Sequence, residues 1–246
     1  MLTEELYVIG IGPGDLKSIS RKAYNILKEV DVIVGYTTYI KCIEEIITER
    51  QQVYVSGMRK EKERVKKAIE FAEAGKKVAL ISSGDPGVYG MAGLALEIAE
   101  AEAAELKIEV VPGITAANAA AAVLGAPLMH DYTVISLSDI LTPWELIVKR
   151  LKAAAEADFI TVLYNPRSSR RKKQLRIARE IYLERKDKKT PVGIVRRIGR
   201  EGQETIITDL EQMPLEKVDM LTTVIIGNSQ TYTAGDRLIT PRGYNL

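Results

Sequence analysis

The stretch Ser82-Ser83-Gly84-Asp85-Pro86-Gly87-Val88-Tyr89-Gly90 decides how the first half of the chain folds. The apolar run Val78–Ile81 precedes it without alternating with polar residues, which is typical of a strand buried on both faces in a parallel sheet. A helical pattern, Met91–Glu102, follows it. A turn between such a strand and such a helix lies at the carboxyl edge of the sheet, where open α/β sheets bind their ligands. We therefore predict that this stretch forms one wall of a ligand site.

The same succession of strand and helix runs through the rest of the first half. Further strand patterns end at Gly10, Gly35, Val55 and Val111, and helical patterns lie between them. Repeated β-α units predict a parallel sheet with right-handed crossovers. One of the helices, Glu61–Gly75, carries apolar residues at core spacing, and we expect its lysines and arginines to lie on a solvated face.

The second half of the chain has a different pattern. Strand patterns at 191–198 and 204–208 follow each other without a helix between them, which indicates an antiparallel pair. A helix is predicted at 169–184, after a further strand pattern. We therefore predict an α/β protein of two α/β domains, residues 1–127 with a largely parallel sheet and residues 128–246 with a mixed sheet.

Composition limits the class of protein. The 246 residues are 46% hydrophobic and 28% charged, with a net charge of +2, which is ordinary for a globular protein and gives no indication of a nucleic-acid partner. The single cysteine, Cys42, excludes an intrachain disulfide and a cysteine-cluster metal site. No charged-then-apolar leader and no membrane-spanning run are visible, so we expect a cytoplasmic protein that does not bind membranes.

The loop Gly10-Ile11-Gly12-Pro13-Gly14 invites a dinucleotide-binding interpretation, which its spacing does not support. The loop does not match G-x-G-x-x-G, and Pro13 removes an amide that a pyrophosphate would use. Asp31 begins the second strand, whereas the acidic residue that binds a ribose follows the end of that strand. We therefore expect a ligand that needs no phosphate site at this edge.

Motifs along essentially the whole chain resemble those of the tetrapyrrole methylases, the S-adenosylmethionine (SAM)-dependent C-methyltransferases of corrin and sirohaem synthesis. In order, the motifs are Gly10–Asp15, Ser83–Tyr89, Val111–Ala116, Leu163–Pro166 and Thr222–Asn228. Each motif alone would be a weak signal, but together and in this order they are specific. The resemblance implies an active site in the cleft between two domains, with SAM bound there and SAH formed as the product.

Further motifs in the second half are most similar to the branch of this family that methylates C17 of precorrin-3B or cobalt-precorrin-3 and contracts the ring. They are Ile135–Glu145, Tyr164–Ser168, Gly227–Tyr232 and Ile239–Tyr244. Two alternatives stay open: a corrin methyltransferase that acts at C11 or C20, and a protein- or RNA-modifying methylase similar to diphthine synthase. The resemblance also implies a homodimer, and it does not choose between a metal-free and a cobalt-containing substrate.

The same resemblance assigns a set of cofactor-binding residues from both domains. They are Ser83, Gly84, Asp85, Val88, Tyr89, Thr115, Ala116, Leu163, Thr222, Thr223 and Val224. Glycine turns expose the main-chain groups that adenine and ribose need, and carbonyl oxygens of such turns suit a sulfonium cation. The alternative for the Gly84 loop, taken alone, is an ordinary strand-to-helix turn with structural glycines.

A tetrapyrrole substrate carries many carboxylates, which need cations. Arg167 and Arg170, together with Arg171, suit this role because arginine pairs bidentately with carboxylates and because the predicted helix would begin beside them. A solvated basic helix is the alternative for the lysines that follow. From the N-terminal domain, the resemblance assigns Gly12, Pro13 and Asp15 to the substrate trough.

Catalysis divides into two tasks. Methyl transfer needs mainly the orientation of the ring carbon against the methyl group, whereas ring contraction needs proton transfers. The candidates for those transfers are Asp85, Ser138, Asp139, Thr142 and His130. His130 is the only histidine, and it has two other possible roles: an exposed structural residue, or an axial ligand to cobalt in a metallated substrate. We expect no resident metal.

Overall fold

The computed structural model describes residues 5–245 and divides the chain into two compact units, Met1–Ala116 and Ala117–Leu246. The strands of unit 1 are β1 (Glu5–Gly10), β2 (Val32–Tyr36), β3 (Gln52–Ser56), β4 (Val78–Ser82) and β5 (Lys107–Val111). Its helices are α1 (Arg21–Glu29), α2 (Thr37–Lys41), α3 (Glu61–Glu73) and α4 (Ala92–Ala101). The strands form one sheet in the order β3-β2-β4-β1-β5, and every neighbouring pair is parallel. The prediction of a parallel sheet is confirmed.

Helices cover both faces of this sheet. α3 and α4 enclose one apolar core, which includes Leu80, and α1 and α2 cover the other, which includes Ile81. Successive residues of a strand point to opposite faces, so a strand between two cores is apolar at every position. All five residues of β4 are buried. This explains the run without alternation that precedes Ser82.

Unit 2 contains the remaining elements. Its helices are α5 (Ala116–Leu124), α6 (Trp144–Glu156) and α7 (Gln174–Leu183). Its strands are β6 (Gly125–Ala126), β7 (Tyr132–Ser136), β8 (Ile160–Tyr164), β9 (Pro191–Arg196), β10 (Glu204–Asp209), β11 (Thr222–Ile226), β12 (Tyr232–Ala234) and β13 (Arg237–Ile239). We expected the domain boundary after Pro127, and the division lies between Ala116 and Ala117. It lies there because β6, which follows α5 directly, pairs with β13.

The main sheet of unit 2 has the order β10-β9-β11-β8-β7. β7 and β8 are parallel, whereas β11 is antiparallel to both β8 and β9. β9 and β10 form the antiparallel pair that the sequence predicts, so the mixed sheet is confirmed. α6 and α7 pack against one apolar core of this sheet. A second sheet, β12-β13-β6, was not predicted from the sequence.

Two local predictions are wrong. The helix predicted at 169–184 begins only at Gln174, because the segment before it closes a turn in which the Arg171 N–H donates to Ser168 Oγ over 3.0 Å. The arginines before Gln174 therefore do not lie at a helix N-terminus. In α3, the charged residues were expected on a solvated face, but Arg64 is 3% exposed and packs on the core side of the helix.

The helices of both units are short. α3 and α6, the longest within residues 5–245, have 13 residues each. Within that same range, no helix combines the length and the apolar character that crossing a membrane requires.

Candidate functional site

The loops that leave β1, β4 and β5 meet at the carboxyl edge of the unit 1 sheet. The Gly12 N–H donates to the Gly84 carbonyl over 3.1 Å, and the Gly84 N–H donates to the Gly12 carbonyl over 2.7 Å. A Cβ on Gly113 would lie 2.2 Å from the Gly84 carbonyl oxygen, and a Cβ on Gly10 would lie 2.6 Å from the same atom. Only residues without a Cβ allow so close an approach. We call Gly10, Gly12, Gly84 and Gly113 the glycine junction.

Asp85 ties two of these loops together through its carboxylate. Its Oδ1 accepts a hydrogen bond from the Gly87 N–H at 2.8 Å, and its Oδ2 accepts one from the Gly113 N–H at 3.0 Å. Both oxygens therefore hold main chain, one in the loop after β4 and the other in the loop after β5. This arrangement makes Asp85 an anion that shapes the site, and its predicted part in proton transfer stays a prediction.

The side of Gly84 that faces the loop after β5 is less crowded. A Cβ on Gly84 would meet the Ala116 nitrogen at 3.8 Å and the Ile114 carbonyl oxygen at 3.9 Å, which are ordinary contact distances. Gly84 has a φ of +65°, and Tyr89, on the same loop, has a φ of +54° and is 60% exposed. Six predicted cofactor residues of unit 1 lie on these two loops, and the seventh is the first residue of α5: Ser83, Gly84, Asp85, Val88, Tyr89 and Thr115, then Ala116.

The loop after β1 carries the predicted substrate residues of unit 1. Asp15 caps a short helical turn: its Oδ1 accepts from the Ser18 N–H at 2.8 Å, and its Oδ2 accepts from the Ser18 hydroxyl at 2.9 Å. The carboxylate of Asp15 therefore orders the loop that Gly12 and Pro13 begin. Contact of Gly12, Pro13 and Asp15 with a substrate stays a prediction.

A group of hydrogen-bonded polar residues occupies the carboxyl ends of β7 and β8 in unit 2. The Asn165 side-chain amide donates to Ser136 Oγ over 3.0 Å, and the Ser138 N–H donates to the same oxygen over 3.2 Å. Arg171 joins them, since its Nε–H donates to the Asn165 carbonyl over 3.0 Å and its Nη1 to Ser138 Oγ over 3.4 Å. Asp139 lies 3.9 Å from Arg171 Nη1. We call Ser136, Ser138, Asp139, Asn165 and Arg171 the polar cluster.

Arg171 is the buried cation of this cluster. Its side chain is 5% exposed, whereas that of Asp139 is 36% exposed. Burial lowers the pKa of the Arg171 guanidinium, and the Asp139 carboxylate opposes this effect. The second oxygen of Asp139 accepts a hydrogen bond from the Gln174 side-chain amide at 2.9 Å. The structure thus brings together the predicted residues Ser138 and Asp139 around a positive charge.

The two arginines predicted to bind substrate have other surroundings. Arg167 donates from Nη1 to the Leu215 carbonyl over 2.7 Å, so its guanidinium holds a neighbouring loop. Arg170 is exposed. Of the three arginines that follow Pro166, Arg171 is the one in the polar cluster. Binding of substrate by Arg167 and Arg170 stays a prediction.

The predicted cofactor residues of unit 2 are buried. Leu163 and Val224 are 0% exposed and belong to the apolar core, so a ligand would meet them only through their main chain. Thr222 and Thr223 are 3% and 4% exposed. The Thr222 hydroxyl donates to Asp219 Oδ1 over 2.9 Å, which orders the turn that enters β11.

His130 is an exposed residue outside the polar cluster. Its Nδ1 accepts a hydrogen bond from the Asp131 N–H at 2.9 Å. Within residues 5–245, no group of three or more His, Cys, Asp or Glu residues is placed to hold a metal ion. The catalytic and cobalt-ligating roles considered for His130 stay predictions.

Two polar residues at these edges, Arg64 and Asn165, were not among the predicted site residues, and Arg171 was predicted only as one of three neighbouring arginines. Arg64 lies four positions before Ala68 and one before Val65, so helical spacing places it on the apolar face of α3. Asn165 adopts a φ of +51°, a conformation that asparagine tolerates better than most residues. Arg171 was considered with its neighbours, but no local pattern separates it from Arg167 and Arg170.

Comparison with known proteins shows extensive similarity along the chain. A family model described as tetrapyrrole (corrin/porphyrin) methylases matches residues 5–214. The cobalt-factor III methyltransferase of Priestia megaterium is 48% identical over 244 residues, which cover 98% of this chain but only 45% of that longer protein. The probable cobalt-factor III C(17)-methyltransferase of Salmonella typhimurium is 48% identical over 241 residues, which cover 98% of this chain and 100% of that protein.

Solved structures show the same architecture. The crystal structure of the methyltransferase CobJ has a TM-score of 0.91 and 38% sequence identity, and the match covers 96% of this chain and 99% of that one. A uroporphyrin-III C-methyltransferase from Thermus thermophilus, complexed with S-adenosyl homocysteine, has a TM-score of 0.69 and 24% identity over 91% of this chain and 92% of that one. The second likeness shows the fold alone.

Proposed function

The chain belongs to the tetrapyrrole (corrin/porphyrin) methylases, as its motifs predict, and we propose that it is a SAM-dependent C17-methyltransferase of cobalamin biosynthesis. Its substrate would be cobalt-factor III or a metal-free counterpart at the precorrin-3 stage, and the methylation would accompany contraction of the ring. The observation that carries the proposal is the 48% identity to the Salmonella protein, which spans 98% of this chain and the whole of that one. The likeness to CobJ supports it.

We assign SAM to the glycine junction. The junction has no side chains at its centre, and a Cβ on Gly10 or Gly113 would fill the space that the main chain occupies. Glycine loops expose main-chain N–H and C=O groups, which can bind the adenosine, and their carbonyl oxygens suit the sulfonium cation. When bound, SAM supplies an electrophilic methyl group. The residues of the chain bind it and, through Asp85, keep the loops in place.

We propose that the polar cluster binds carboxylate groups of the tetrapyrrole. Arg171 provides a permanent positive charge, and guanidinium groups pair well with carboxylates. Ser138 and Asp139 lie beside this charge and are the candidates for holding or moving a proton during ring contraction. Methyl transfer itself needs mainly orientation, so a rigid cluster that fixes the substrate serves both steps.

A direct assay tests the proposed function. The protein is incubated with SAM that carries a carbon-13 methyl group, in parallel with cobalt-factor III and with metal-free precorrin-3B. We expect a product that is heavier by one labelled methyl group, with the label at C17 in the NMR spectrum and with one bridging carbon moved out of the ring but retained in the product.

Three results would contradict separate parts of the proposal. A label at C11 or C20 would contradict the position of methylation. Retention of all bridging carbons within the ring would contradict ring contraction. If calorimetry detected no SAH binding, the assignment of the cofactor would be wrong. The two parallel substrates decide between the metal-free and the cobalt-containing pathway.

We also propose a homodimer, on the resemblance to the family. Sedimentation equilibrium measures the assembly directly, and a monomer at micromolar concentration would contradict it.

The RNA-modifying alternative has its own test. Binding of tRNA or rRNA that weakens steeply with salt would favour that alternative over the corrin methyltransferase.

A further inference from the structure

Arg64 is a buried arginine whose hydrogen-bond partners are all uncharged. It lies in the first turn of α3 and is 3% exposed. Its Nε–H donates to Ser56 Oγ over 2.8 Å, and its Nη2 donates to the Gly57 carbonyl over 2.9 Å. Its Nη1 meets only the Met91 thioether, at 3.8 Å. The guanidinium carbon lies 5.8 Å from the centre of the Tyr36 ring.

No carboxylate bonds directly to this positive charge. The pKa of Glu63, on the exposed side of the same turn, is lowered mainly by a hydrogen bond with Lys60 and in part by Arg64. Among the carboxylates of residues 5–245, none lies within ion-pair distance of the Arg64 guanidinium. A buried charge is costly unless it is paired, and a thioether is a weak hydrogen-bond acceptor. Two of the three guanidinium nitrogens hold the loop after β3. The third, Nη1, makes one contact, with the Met91 thioether, and a carboxylate is a better partner for a guanidinium N–H.

The position of Arg64 connects it with the ligand site of unit 1. Ser56 is the last residue of β3, and Tyr36 is the last residue of β2. Met91 immediately follows Ser82–Gly90, the loop that contributes Gly84 to the glycine junction. The guanidinium therefore lies at the same carboxyl edge of the same parallel sheet as the junction. Ligands of open α/β sheets bind along this edge.

We propose that Arg64 is a substrate-binding residue that pairs, through Nη1, with one peripheral carboxylate of the tetrapyrrole. The carboxylate would displace the flexible Met91 side chain from Nη1. Nε and Nη2 would keep their bonds to the loop after β3 and so hold the guanidinium in place. This inference rests on the proposed function, since it takes the substrate to be a polycarboxylate.

The test compares Arg64→Met with a charge-matched control. Arg64→Met keeps the length of the side chain and its apolar stem but removes every donor. We expect KM for cobalt-factor III to rise about tenfold to a hundredfold, because hydrogen bonds to charged groups are among the stronger ones in proteins. SAH affinity by calorimetry should stay within about twofold, since the glycine junction is untouched. The control, Lys62→Met, removes one positive charge from the exposed side of the same helix turn and should leave KM unchanged.

A second variant keeps the test decisive if Arg64→Met does not fold. Arg64→Lys retains the charge on a single nitrogen, and we expect a smaller rise in KM with unchanged SAH affinity. Unchanged KM in a folded variant would overturn the inference, and so would a parallel loss of SAH affinity, which indicates a purely structural role. If the wild-type protein methylated neither tetrapyrrole, the proposed function would fail first. A wild-type enzyme that is active while its Arg64 variants keep normal KM would overturn the inference alone.

Discussion

The carboxyl edge of the unit 1 sheet is built from main chain, whereas that of the unit 2 sheet is built from side chains. In unit 1 the glycine junction brings three loops into contact, and Asp85 holds two of them by accepting main-chain hydrogen bonds. In unit 2 the polar cluster surrounds the buried charge of Arg171. Main chain offers fixed dipoles without net charge, and side chains offer charge and protons. The comparison explains why we assign the cofactor to one edge and acidic groups of the substrate to the other.

The two aspartates of these edges show the same contrast. Asp85 uses both oxygens to accept from N–H groups of the loops. Asp139 accepts from the Gln174 side chain and faces Arg171 at 3.9 Å, with 36% of its side chain exposed. The Asp85 carboxylate is occupied in holding loops, whereas the Asp139 carboxylate is accessible and lies beside a cation. The two groups can therefore do different chemistry. Substitutions at each edge should therefore separate cofactor binding from substrate binding.

The largest effect is expected from Gly113→Ala. The added methyl group would lie 2.2 Å from the Gly84 carbonyl oxygen, so the main chain of the junction must shift. We expect a loss of about 3 kcal/mol in the free energy of unfolding, since overpacking of this kind commonly costs that much. SAH binding should fall below detection by calorimetry. Urea denaturation measures the stability.

The matched control for this substitution is Gly93→Ala. Gly93 is exposed in α4, and a Cβ there would have no described heavy atom within 4 Å. We expect a gain of about 0.5–1 kcal/mol, because alanine is the better helix former. Normal SAH affinity in Gly113→Ala would show that the cofactor does not use the junction.

Asp85→Asn comes next in size. The asparagine oxygen can accept one of the two main-chain hydrogen bonds, and its NH₂ group would face the other N–H. We expect SAH affinity to fall about tenfold, because a hydrogen bond to a charged group is worth about 1.5–3 kcal/mol. The control is Asp131→Asn, whose side chain is 83% exposed. If SAH affinity were unchanged while kcat fell, Asp85 would act in proton transfer, which is the role predicted for it from the sequence.

Arg171→Met tests the edge of unit 2. Removal of the buried guanidinium should raise KM for the tetrapyrrole about tenfold through the loss of a charge-assisted contact. SAH affinity should not change, which is the opposite of the result expected for Asp85→Asn. Lys172→Met, at the exposed position on the other side of Arg171, serves as the control. A fall in SAH affinity would break the proposed division between the two edges.

The smallest effect is expected on stability, from the ion pair between Asp158 and Lys186 in unit 2, which lies outside the polar cluster. Burial raises the pKa of Asp158, but hydrogen bonds from Lys186 and Ser229 outweigh it and leave that pKa below its ordinary value. Because the pKa of Asp158 is lower in the folded than in the unfolded chain, its carboxylate stabilises the fold at pH values above the unfolded pKa of 3.8. This stabilisation is lost as the pH falls through the pKa of the folded state.

Asp158→Asn should therefore be less stable than the wild type at pH 7, by about 1 kcal/mol after allowance for solvent screening. Asparagine suits the φ of +54° at this position, so the backbone should not be strained. The difference in melting temperature should shrink as the pH falls below 3.8. A difference that is independent of pH would show that the Asp158–Lys186 pair is not its cause.

Most of the fold could be predicted because the deciding signals are local. Non-alternating apolar runs identified buried parallel strands, and two adjacent strand patterns identified the β9–β10 pair. The edge rule placed the Ser82–Gly90 loop at a ligand site, and the structure shows that the loops of Gly12 and Gly113 meet it there. The start of α7 at Gln174 could not be predicted, because a turn closed by Ser168 competes with the helix.

The side chains of the site were harder to predict than its loops. Arg167, Arg170 and Arg171 share one local sequence, and only packing decides that Arg171 is buried. Arg64 looked like part of a solvated helix face because arginine is rarely buried, although its spacing from Ala68 indicates the apolar face. Burial of a charged residue depends on the partners that tertiary structure provides. Local sequence patterns do not show which partners the tertiary structure will bring to a charged side chain.

The glycine junction has a consequence for the thermodynamics of binding. Loops that become ordered only around a ligand lose conformational freedom, and that entropy is subtracted from the affinity. Here the reciprocal Gly12–Gly84 hydrogen bonds and the carboxylate of Asp85 restrain the loops through contacts that need no ligand. The loops therefore lose little further conformational entropy when a ligand binds. The uncharged adenosine part of SAM can then bind tightly without a charged side chain to hold it.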